Sequence, residues 1–439
     1  MGAALVRRSG SQVSPPCRPR AVAIAVGLAL AALILAGCGG ESPAGHAHTQ
    51  GATTTSGSAG GTGSGSRTGS RTTVAASRVR ITITPSGGTD RRPDRGLTVT
   101  AIGGTLTTVR VTAGGAAVDG SMNRAHTTWH STWALGVGES YTATASGASP
   151  SGAPVTRTVS FHTFTPTQTF VTETIEGYHQ TYGVGMPIIL YFDHTITNRT
   201  AVERALQVTS SKPVTGSWYW DDRCGTAPTC LYFRPHHYWR AHTRVSFVAH
   251  LDGVQGAPGL YGVHTLTQSF TIGRALTVTA STSSHHMTVY RDGKVFAQWP
   301  ISTGRPGDDT PNGTYLTIEK GNPVDMKGPG YNIEVPWSVR FTWSGDYLHD
   351  AYWSVGDQGF TNVSHGCVNM PPADAEIYYN MAVPGDPVTI TGSPRPGVPD
   401  NGWTMWFLPW KRWLHGSSLR EAVRVTSHGS SFFSPHVSA

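Results

Sequence analysis

Short segments that alternate apolar with polar residues recur along this chain from residue 79 onward. They include residues 79–84, 97–101 and 107–111, and glycine, proline or aspartate separates them. A period of two places every second side chain on the same face of a strand, so each segment predicts a β-strand with one buried face. Turn residues at this spacing are typical of small antiparallel β-sandwiches.

Composition agrees with a strand-rich, multidomain protein. The 439 residues correspond to about three domains of ordinary size. The chain contains 53 Gly and 29 Pro, which favour turns and short strands over long helices. Its 13 Trp, 15 Tyr and 13 Phe, with only 13% charged residues, exclude a largely disordered chain, because such chains are charge-rich and poor in aromatic residues.

A weak internal repeat divides the first strand-rich part into two modules. WAL at 133–135 and VSF at 159–161 correspond to YW at 238–239 and VSFVA at 245–249. We therefore predict two immunoglobulin-like sandwiches in tandem, at 77–165 and 166–273. Their Trp and Tyr side chains are expected to form the sandwich cores.

The N-terminal segment has the parts of an export signal. An uncharged apolar run at 21–35 leads into LAGC at 35–38, and four basic residues precede it: Arg7, Arg8, Arg18 and Arg20. The run is shorter than the ~20 residues that a spanning helix needs. LAGC resembles the bacterial lipobox, so we predict a signal peptide at 1–37 and lipidation of Cys38. An uncleaved anchor helix and a twin-arginine signal at residues 7–8 are the alternatives.

Residues 38–76 predict a tether between the lipid and the folded part. They are mostly Gly, Ser and Thr, a flexible-linker composition that spans about 35 Å on average. Loss of residues 1–37 lowers the formal charge from +7 to +3, so the basic balance indicates no nucleic-acid partner. The expected location is the outer face of the cell membrane, reaching into the wall.

Cysteine usage fits an oxidising compartment. Cys224 and Cys230 flank the turn-like GTAPT at 225–229 between two strand-like segments. They are predicted to form a disulfide that contributes about 2 kcal/mol. A zinc site is the weaker alternative, because no second Cys or His pair stands at ligand spacing. Cys367 remains as an unpaired thiol.

The third strand-rich part, 274–392, contains the candidate chemistry. Asp292-Gly293 predicts a hairpin between two strand-like runs. Further on, SHGCVN at 364–369 places Cys367 after a glycine that permits a sharp turn. A helix is predicted to begin near residues 371–372, and its N-terminus would favour a thiolate. His349 is the candidate base, whereas His365 is expected to point away from the thiol.

The spacing of these residues is similar to the signature of the L,D-transpeptidases. His349, a gap at 350–363 and SHGCVN at 364–369 match it, and AYWSVG at 351–356 extends the match. The resemblance also reaches Gly330-Tyr331, Ser344-Gly345 and the Trp-rich segment 403–413. Actinobacterial members carry two immunoglobulin-like domains before the catalytic domain, so the resemblance covers 77–415. It implies a β-sandwich catalytic domain at 274–392, followed by a C-terminal extension at 393–439.

The resemblance implies acyl transfer between peptidoglycan tetrapeptide stems. Cys367 would form a thioester with meso-diaminopimelate and release D-Ala, and the diaminopimelate side-chain amine of a second stem would resolve it into a 3→3 cross-link. His349 would act as general base and acid. The family pattern assigns further roles in two sets: donor-stem binding to Tyr331, Ser344, Gly345 and Asn369, and the oxyanion loop to His365 and Gly366.

Asp350 departs from the pattern, since the residue after the catalytic histidine is Ser in similar proteins. We expect its carboxylate to be solvated; the alternative is that it points inward and raises the pKa of His349. The Trp residues of the extension are expected to pack it over the junction of the second sandwich and the catalytic domain, with glycan binding as the alternative. Residues 416–439 are expected to be loose.

Two other functions remain open from the sequence. Water could resolve the thioester, which would make the protein an L,D-carboxypeptidase, or the chain could be a non-catalytic surface lipoprotein that binds wall polymer. The sequence presents no metal-ligand set and no cofactor loop, so neither a metal nor a cofactor is expected. The protein is expected to act as a monomer.

Overall fold

The computed structural model describes residues 79–177, 179–328 and 331–430. The predicted signal peptide, Cys38 and the tether lie outside the described residues, as do Gly330 and residues 431–439. Strands dominate the described part, in agreement with the predicted fold class. None of the helices described has the length and apolar character to cross a membrane.

The first group of strands forms two facing sheets. One has the order β1-β3-β7-β6 and the other β2-β9-β8-β4-β5. Their bounds are β1 (Arg80–Thr84), β2 (Gly88–Arg91), β3 (Thr98–Ile102), β4 (Thr105–Ala113), β5 (Ala116–Ala117), β6 (Gly120–Met122), β7 (Thr128–Ser131), β8 (Ser140–Ala148) and β9 (Pro154–Thr163). Alternate side chains of β8 are buried, which is the burial that a period of two dictates.

The second group contains three sheets, one of which includes the C-terminal strands. Their orders are β10-β19-β18, β12-β20-β17-β14 and β11-β13-β16-β15-β32-β33. The bounds are β10 (Gln168–Phe170), β11 (Thr172–Thr174), β12 (Thr181–Tyr182), β13 (Ile188–Phe192), α1 (Arg199–Arg204), β14 (Leu206–Ser210), β15 (Val214–Asp221), β16 (Thr229–Pro235), β17 (Thr243–His250), β18 (Gln255–Ala257), β19 (Leu260–Gly262), β20 (Thr265–Ile272), β32 (Val423–Thr426) and β33 (Gly429–Ser430).

The third group forms a five-stranded sheet β23-β22-β21-β31-β24, a four-stranded sheet β25-β28-β29-β30 and the hairpin β26-β27. The bounds are β21 (Leu276–Ser281), β22 (His286–Arg291), β23 (Lys294–Pro300), β24 (Gly313–Leu316), β25 (Glu319–Gly321), β26 (Val324–Gly328), β27 (Tyr331–Val335), β28 (Ser338–Arg340), β29 (Tyr347–Asp350), β30 (Val368–Met370), α2 (Pro372–Met381), β31 (Pro387–Thr391) and α3 (Trp410–His415). Short 3₁₀ turns cover Pro93–Arg95, Tyr352–Ser354 and Met405–Phe407.

Several local expectations are confirmed. Asp292 and Gly293 both have positive φ, 51° and 78°, as the predicted two-residue hairpin turn requires. Cys224 and Cys230 form the predicted disulfide at the mouth of the β15–β16 hairpin. Helix α2 begins at Pro372, as predicted.

Most Trp and Tyr residues of the modules are buried, as expected. Trp218, Trp239 and Tyr141 are core residues. Trp133, however, is only half-buried, and its ring stacks on His250 of the second module with 3.7 Å between ring centroids. This side chain therefore contributes to the junction between the modules.

The expectation that the chain is loose after residue 416 is wrong for residues 416–430. Strand β32 pairs with β15, with Val214 opposite Val425 and Gly216 opposite Val423. Glu203 of α1 is fully buried and holds the segment that leads into this strand. Its carboxylate accepts hydrogen bonds from the Ser417 hydroxyl (2.7 Å), the main-chain N–H groups of Ser418 and Leu419 (2.5 and 3.3 Å) and the Trp220 indole (2.5 Å).

The Trp residues of the extension pack at the predicted junction. The Trp413 indole donates to the carbonyl of Ser217 at 2.9 Å, and the Trp406 indole donates to that of Gly185 at 2.8 Å. The Arg234 guanidinium lies 4.4 Å from the Trp406 ring centroid and 4.5 Å from that of Trp413. An arginine between indoles combines cation–π attraction with apolar packing, so these aromatic residues attach the extension to the second module.

Glu203→Gln should free the C-terminal strand. The amide keeps the shape of the side chain but provides only one acceptor oxygen, so buried donors lose their partner at a cost of about 1–3 kcal/mol each. We expect faster hydrogen exchange at residues 417–426 and a lower unfolding midpoint. The matched control is Glu319→Gln, whose ion pair with Arg340 is exposed on the glutamate side. Equal exchange in both variants would contradict the role given to Glu203.

Candidate active site

Strand register places the candidate nucleophile and base together. Strands β29 and β30 run parallel, with Leu348 opposite Val368 and His349 opposite Asn369. Cys367 directly precedes β30 and stands two residues before Asn369, so continued alternation predicts that its side chain shares the face of Asn369 and His349. The fold thus brings together two residues that are separated by the gap at 350–363.

A main-chain carbonyl orients the imidazole. His349 Nδ1 lies 2.7 Å from the carbonyl oxygen of Asp350. A carbonyl can only accept, so Nδ1 carries the proton and Nε2 has a free lone pair. The side chain of Asp350 has no part in this contact.

Both expectations about Asp350 need correction. The residue is buried rather than solvated, and its Oδ1 has no hydrogen-bond partner among the described residues. Nor is the pKa of His349 raised: burial lowers it to about 4, with the Asp350 carbonyl opposing the shift. Desolvation therefore outweighs the hydrogen bond, and the imidazole is a neutral base at neutral pH.

The thiol is also neutral at rest. Burial and then the charge of Asp346 raise the pKa of Cys367 to about 12, while the main-chain N–H of Tyr347 hydrogen-bonds to the sulfur and opposes the shift. The direction is opposite to the one expected from the nearby helix N-terminus. Sγ lies 3.8 Å from the carbonyl oxygen of Gly345, an acceptor for the thiol proton. The Trp353 ring stacks on His349 with 5.9 Å between centroids.

Two hydroxyl groups shape the loop before Cys367. Ser364 Oγ donates to the carbonyl of Cys367 at 2.7 Å and accepts from the N–H of Gly366 at 3.1 Å. Thr310 Oγ1 donates to the carbonyl of Gly366 at 2.7 Å. Within the described residues, the N–H groups of His365 and Cys367 have no hydrogen-bond acceptor, so they are available to a ligand. The sequence did not predict this role of Thr310, because the residue lies in another loop, 56 positions before Gly366.

The predicted stem-binding residues do not all face the same space. Tyr331 is partly exposed, and its ring lies 5.0 Å from that of the exposed His365. Gly345 borders the thiol through its carbonyl oxygen, and Ser344 hydrogen-bonds to Asn401 of the extension through both main chain and side chain. Asn369 is buried, and its amide nitrogen donates to Ser354 Oγ at 2.9 Å, so this contact supports the strand pair from within.

Asp346 is a buried charged residue at the site to which the sequence analysis gave no role. It directly precedes β29, and its Oδ2 accepts from the hydroxyl groups of Thr342 (2.6 Å) and Ser344 (3.1 Å). The sequence signal for it was the position of this acid, three residues before His349 and next to the apolar pair Tyr347-Leu348. Across the three described ranges, no group of three or more His, Cys, Asp or Glu side chains is arranged to hold a metal ion.

Fold and site together define the class of the protein. It is a multidomain β-protein in which a neutral histidine lies on one strand of a parallel pair and an unpaired cysteine directly precedes the other strand. A model of the bacterial Ig domain matches residues 88–255, and a model of the L,D-transpeptidase catalytic domain matches residues 276–390.

Known proteins identify the family. L,D-transpeptidase 2 of Mycobacterium tuberculosis (strain CDC 1551 / Oshkosh) is 32% identical over 340 residues, which cover 74% of this chain and 81% of the relative. L,D-transpeptidase 5 of strain ATCC 25618 / H37Rv is 35% identical over 314 residues, 70% of this chain and 69% of the relative. A solved L,D-transpeptidase from Mycobacterium smegmatis shares 32% identity, with a TM-score of 0.40 over 50% of this chain and 99% of its own. The chain belongs to the L,D-transpeptidase family.

The state of His349 predicts the pH dependence of thiol acylation. The rate should hold as pH falls to about 5 and decline as the imidazole is protonated near its lowered pKa of about 4. Folding stability should fall earlier, below about pH 6.5, because the unfolded chain takes up the proton first. Acylation kinetics and thermal unfolding across pH 4–8 measure the two pH dependences. If the acylation rate and the folding stability declined over the same pH range, a buried neutral imidazole would be contradicted.

Asp350→Asn is the control for the orientation of the ring. It retains the main-chain carbonyl, so ¹⁵N spectra should still show a proton on Nδ1, and acylation should stay within about threefold of the wild type, below 1 kcal/mol in barrier. A large loss would assign the orienting role to the carboxylate instead.

Proposed function

We propose that the chain is a peptidoglycan L,D-transpeptidase that uses Cys367 as its nucleophile and His349 as its general base and acid. The observation that carries this proposal is the neutral imidazole of His349 on β29, in which the Asp350 carbonyl leaves Nε2 as the free base, beside the parallel strand β30 that Cys367 directly precedes. Family membership supports the substrate class, peptidoglycan stem peptides.

The first half-reaction is acylation. The sulfur attacks the carbonyl carbon between the L-centre of meso-diaminopimelate and the terminal D-Ala of a tetrapeptide stem. A high thiol pKa and a low imidazole pKa disfavour an ion pair at rest, so the proton moves to Nε2 as the C–S bond forms. His349 then gives this proton to the nitrogen of D-Ala as the C–N bond breaks.

The oxyanion of the tetrahedral intermediate is assigned to the loop 365–367. Main-chain N–H groups that are already in place stabilise developing negative charge without reorganisation. The N–H of Gly366 is engaged by Ser364 Oγ, so the N–H groups of His365 and Cys367 are the better donors. Ser364 and Thr310 would hold the loop in this conformation.

The second half-reaction forms the 3→3 cross-link. The side-chain amine of diaminopimelate on another stem attacks the thioester, and the C–S bond breaks. The carboxypeptidase alternative differs only in the nucleophile, since water would take the place of the amine. The third alternative, a wall-binding lipoprotein without catalysis, gives no role to the buried base.

Incubation of the purified protein with a disaccharide tetrapeptide tests this reaction. Mass spectrometry should show loss of D-Ala and a dimer joined between two diaminopimelate residues. Cys367→Ala should abolish both, and His349→Gln should slow acylation by about 10²–10⁴-fold, the contribution of a general base. Addition of a carbapenem should give a mass adduct on wild-type protein and none on Cys367→Ala.

Each other outcome has a separate meaning. Loss of D-Ala without dimer would favour the carboxypeptidase, and no loss with folded protein would overturn the enzyme assignment. Retained activity in Cys367→Ala would overturn the choice of nucleophile.

We further propose that Cys38 is lipidated and holds the protein at the outer face of the cell membrane. The support is LAGC at 35–38 after an apolar run, with a Gly/Ser/Thr segment following it. Cell fractionation and palmitate labelling should find wild-type protein in the membrane fraction and Cys38→Ala in the soluble fraction. Membrane retention of Cys38→Ala without label would favour an uncleaved anchor helix.

A further inference from the structure

One carboxylate oxygen beside the nucleophile has no partner within the chain. Asp346 is 7% exposed, and both of its hydroxyl donors, Thr342 and Ser344, contact Oδ2. Among the described residues, no hydrogen-bond donor reaches Oδ1. This oxygen faces the loop of the nucleophile, because a Cβ added to Gly366 would lie 2.5 Å from it.

The carboxylate acts on the reacting atoms through its charge. It raises the pKa of the thiol of Cys367 and contributes to the raised pKa of Tyr331. Burial raises the pKa of Asp346, and the hydrogen bonds from Thr342 and Ser344, followed by the charges of Arg395 and Arg340, oppose that shift. Asp308, paired with Arg305, is the other acid near Tyr331. Neither arginine forms an ion pair with Oδ1 in the described residues.

Such a charge opposes the first half-reaction. A negative group next to the sulfur disfavours thiolate, and it also repels the oxyanion of acylation. An attractive effect arises only when a positive group enters the site. In the proposed reaction, the side-chain amine of diaminopimelate is an ammonium ion at neutral pH on both stems, because alkyl amines have a pKa near 10. Only the amine of the acceptor stem has to reach the thioester carbonyl carbon as the nucleophile.

We propose that Asp346 Oδ1 binds the acceptor ammonium and thereby favours amine over water as the nucleophile for the thioester. This inference rests on the proposed transpeptidation. A charge-assisted hydrogen bond to Oδ1 holds the nitrogen beside the thioester carbonyl carbon. Asp346 is thus a specificity-determining residue for the second half-reaction.

The proton balance of this step is complete. The ammonium ion carries three protons and the amide product keeps one. His349 Nε2 removes one proton before the C–N bond forms, because an ammonium nitrogen has no lone pair for attack, and delivers it to the sulfur as the C–S bond breaks. The other proton leaves to water when the tetrahedral intermediate collapses, so the enzyme returns to neutral thiol and neutral imidazole.

Asp346→Asn separates the two half-reactions. The amide can keep one acceptor oxygen toward Thr342 and Ser344 but has no charge for the ammonium. The carbapenem adduct and the first-turnover release of D-Ala should form at least as fast as in wild type. The acceptor KM should rise and the ratio of dimer to hydrolysed stem should fall, each by about tenfold or more, as loss of a hydrogen bond to a charged group implies.

The matched control is Asp308→Asn, which removes the other nearby charge and should leave the product ratio unchanged. If Asp346 only held its loop in place, Asp346→Asn would either change both the acylation rate and the ratio of dimer to hydrolysed stem, or leave both unchanged. An unchanged ratio with normal acylation overturns the inference. Wild-type protein that never releases D-Ala overturns the proposed function instead, so the two failures are distinguishable.

A measurement on wild-type protein covers the case in which Asp346→Asn does not fold. Methylamine is a cation at neutral pH, whereas methoxyamine is neutral. Methylamine should intercept the thioester with saturation, and methoxyamine should react in proportion to its concentration. Equal saturation by both amines overturns the inference.

Discussion

The parallel pairing of β29 with β30 is the constraint on which the site depends. It aligns His349 with Asn369, and alternation from Asn369 back to Cys367 then directs thiol and imidazole to one face. A shift of one residue would turn one of the two side chains to the opposite face. The surrounding contacts serve this register: Asn369 bonds to Ser354, and its main chain exchanges hydrogen bonds with Ser302 in the adjacent segment.

Burial determines the protonation states of the pair and therefore the kind of chemistry it can perform. Desolvation disfavours charge on both groups, so the thiol keeps its proton and the imidazole remains a base. The pair differs in this respect from a preformed thiolate–imidazolium, and proton transfer has to accompany attack on the substrate. Asp346 strengthens the same tendency before an acceptor arrives, since its charge also disfavours a thiolate.

Local sequence signals predicted much of the fold and the two central residues. Alternating segments, Asp292-Gly293 and the turn between Cys224 and Cys230 depend on neighbours in the chain, and the structure has each of them. Strand β32 was missed because four residues inside a Ser-rich segment give little periodic signal, and its partner β15 lies some two hundred residues earlier.

The orientation of His349 was unpredictable for a different physical reason. The sequence presents a carboxylate at position 350, but the group that binds the ring is the carbonyl of the same residue. Every residue has a main-chain carbonyl, so the residue type at position 350 cannot predict this hydrogen bond.

The C-terminal extension connects the site to the second module along one continuous path. Asn401 bonds to Ser344, which in turn bonds to Asp346 beside the thiol. Farther along the extension, Trp413 bonds to Ser217, and β32 completes the sheet of the second module. Because the same segment contacts the loop of Asp346 and enters the core of the module, movement of the module against the catalytic sheet would disturb the hydroxyl groups that hold Asp346. The module is therefore part of the support of the site as well as a spacer.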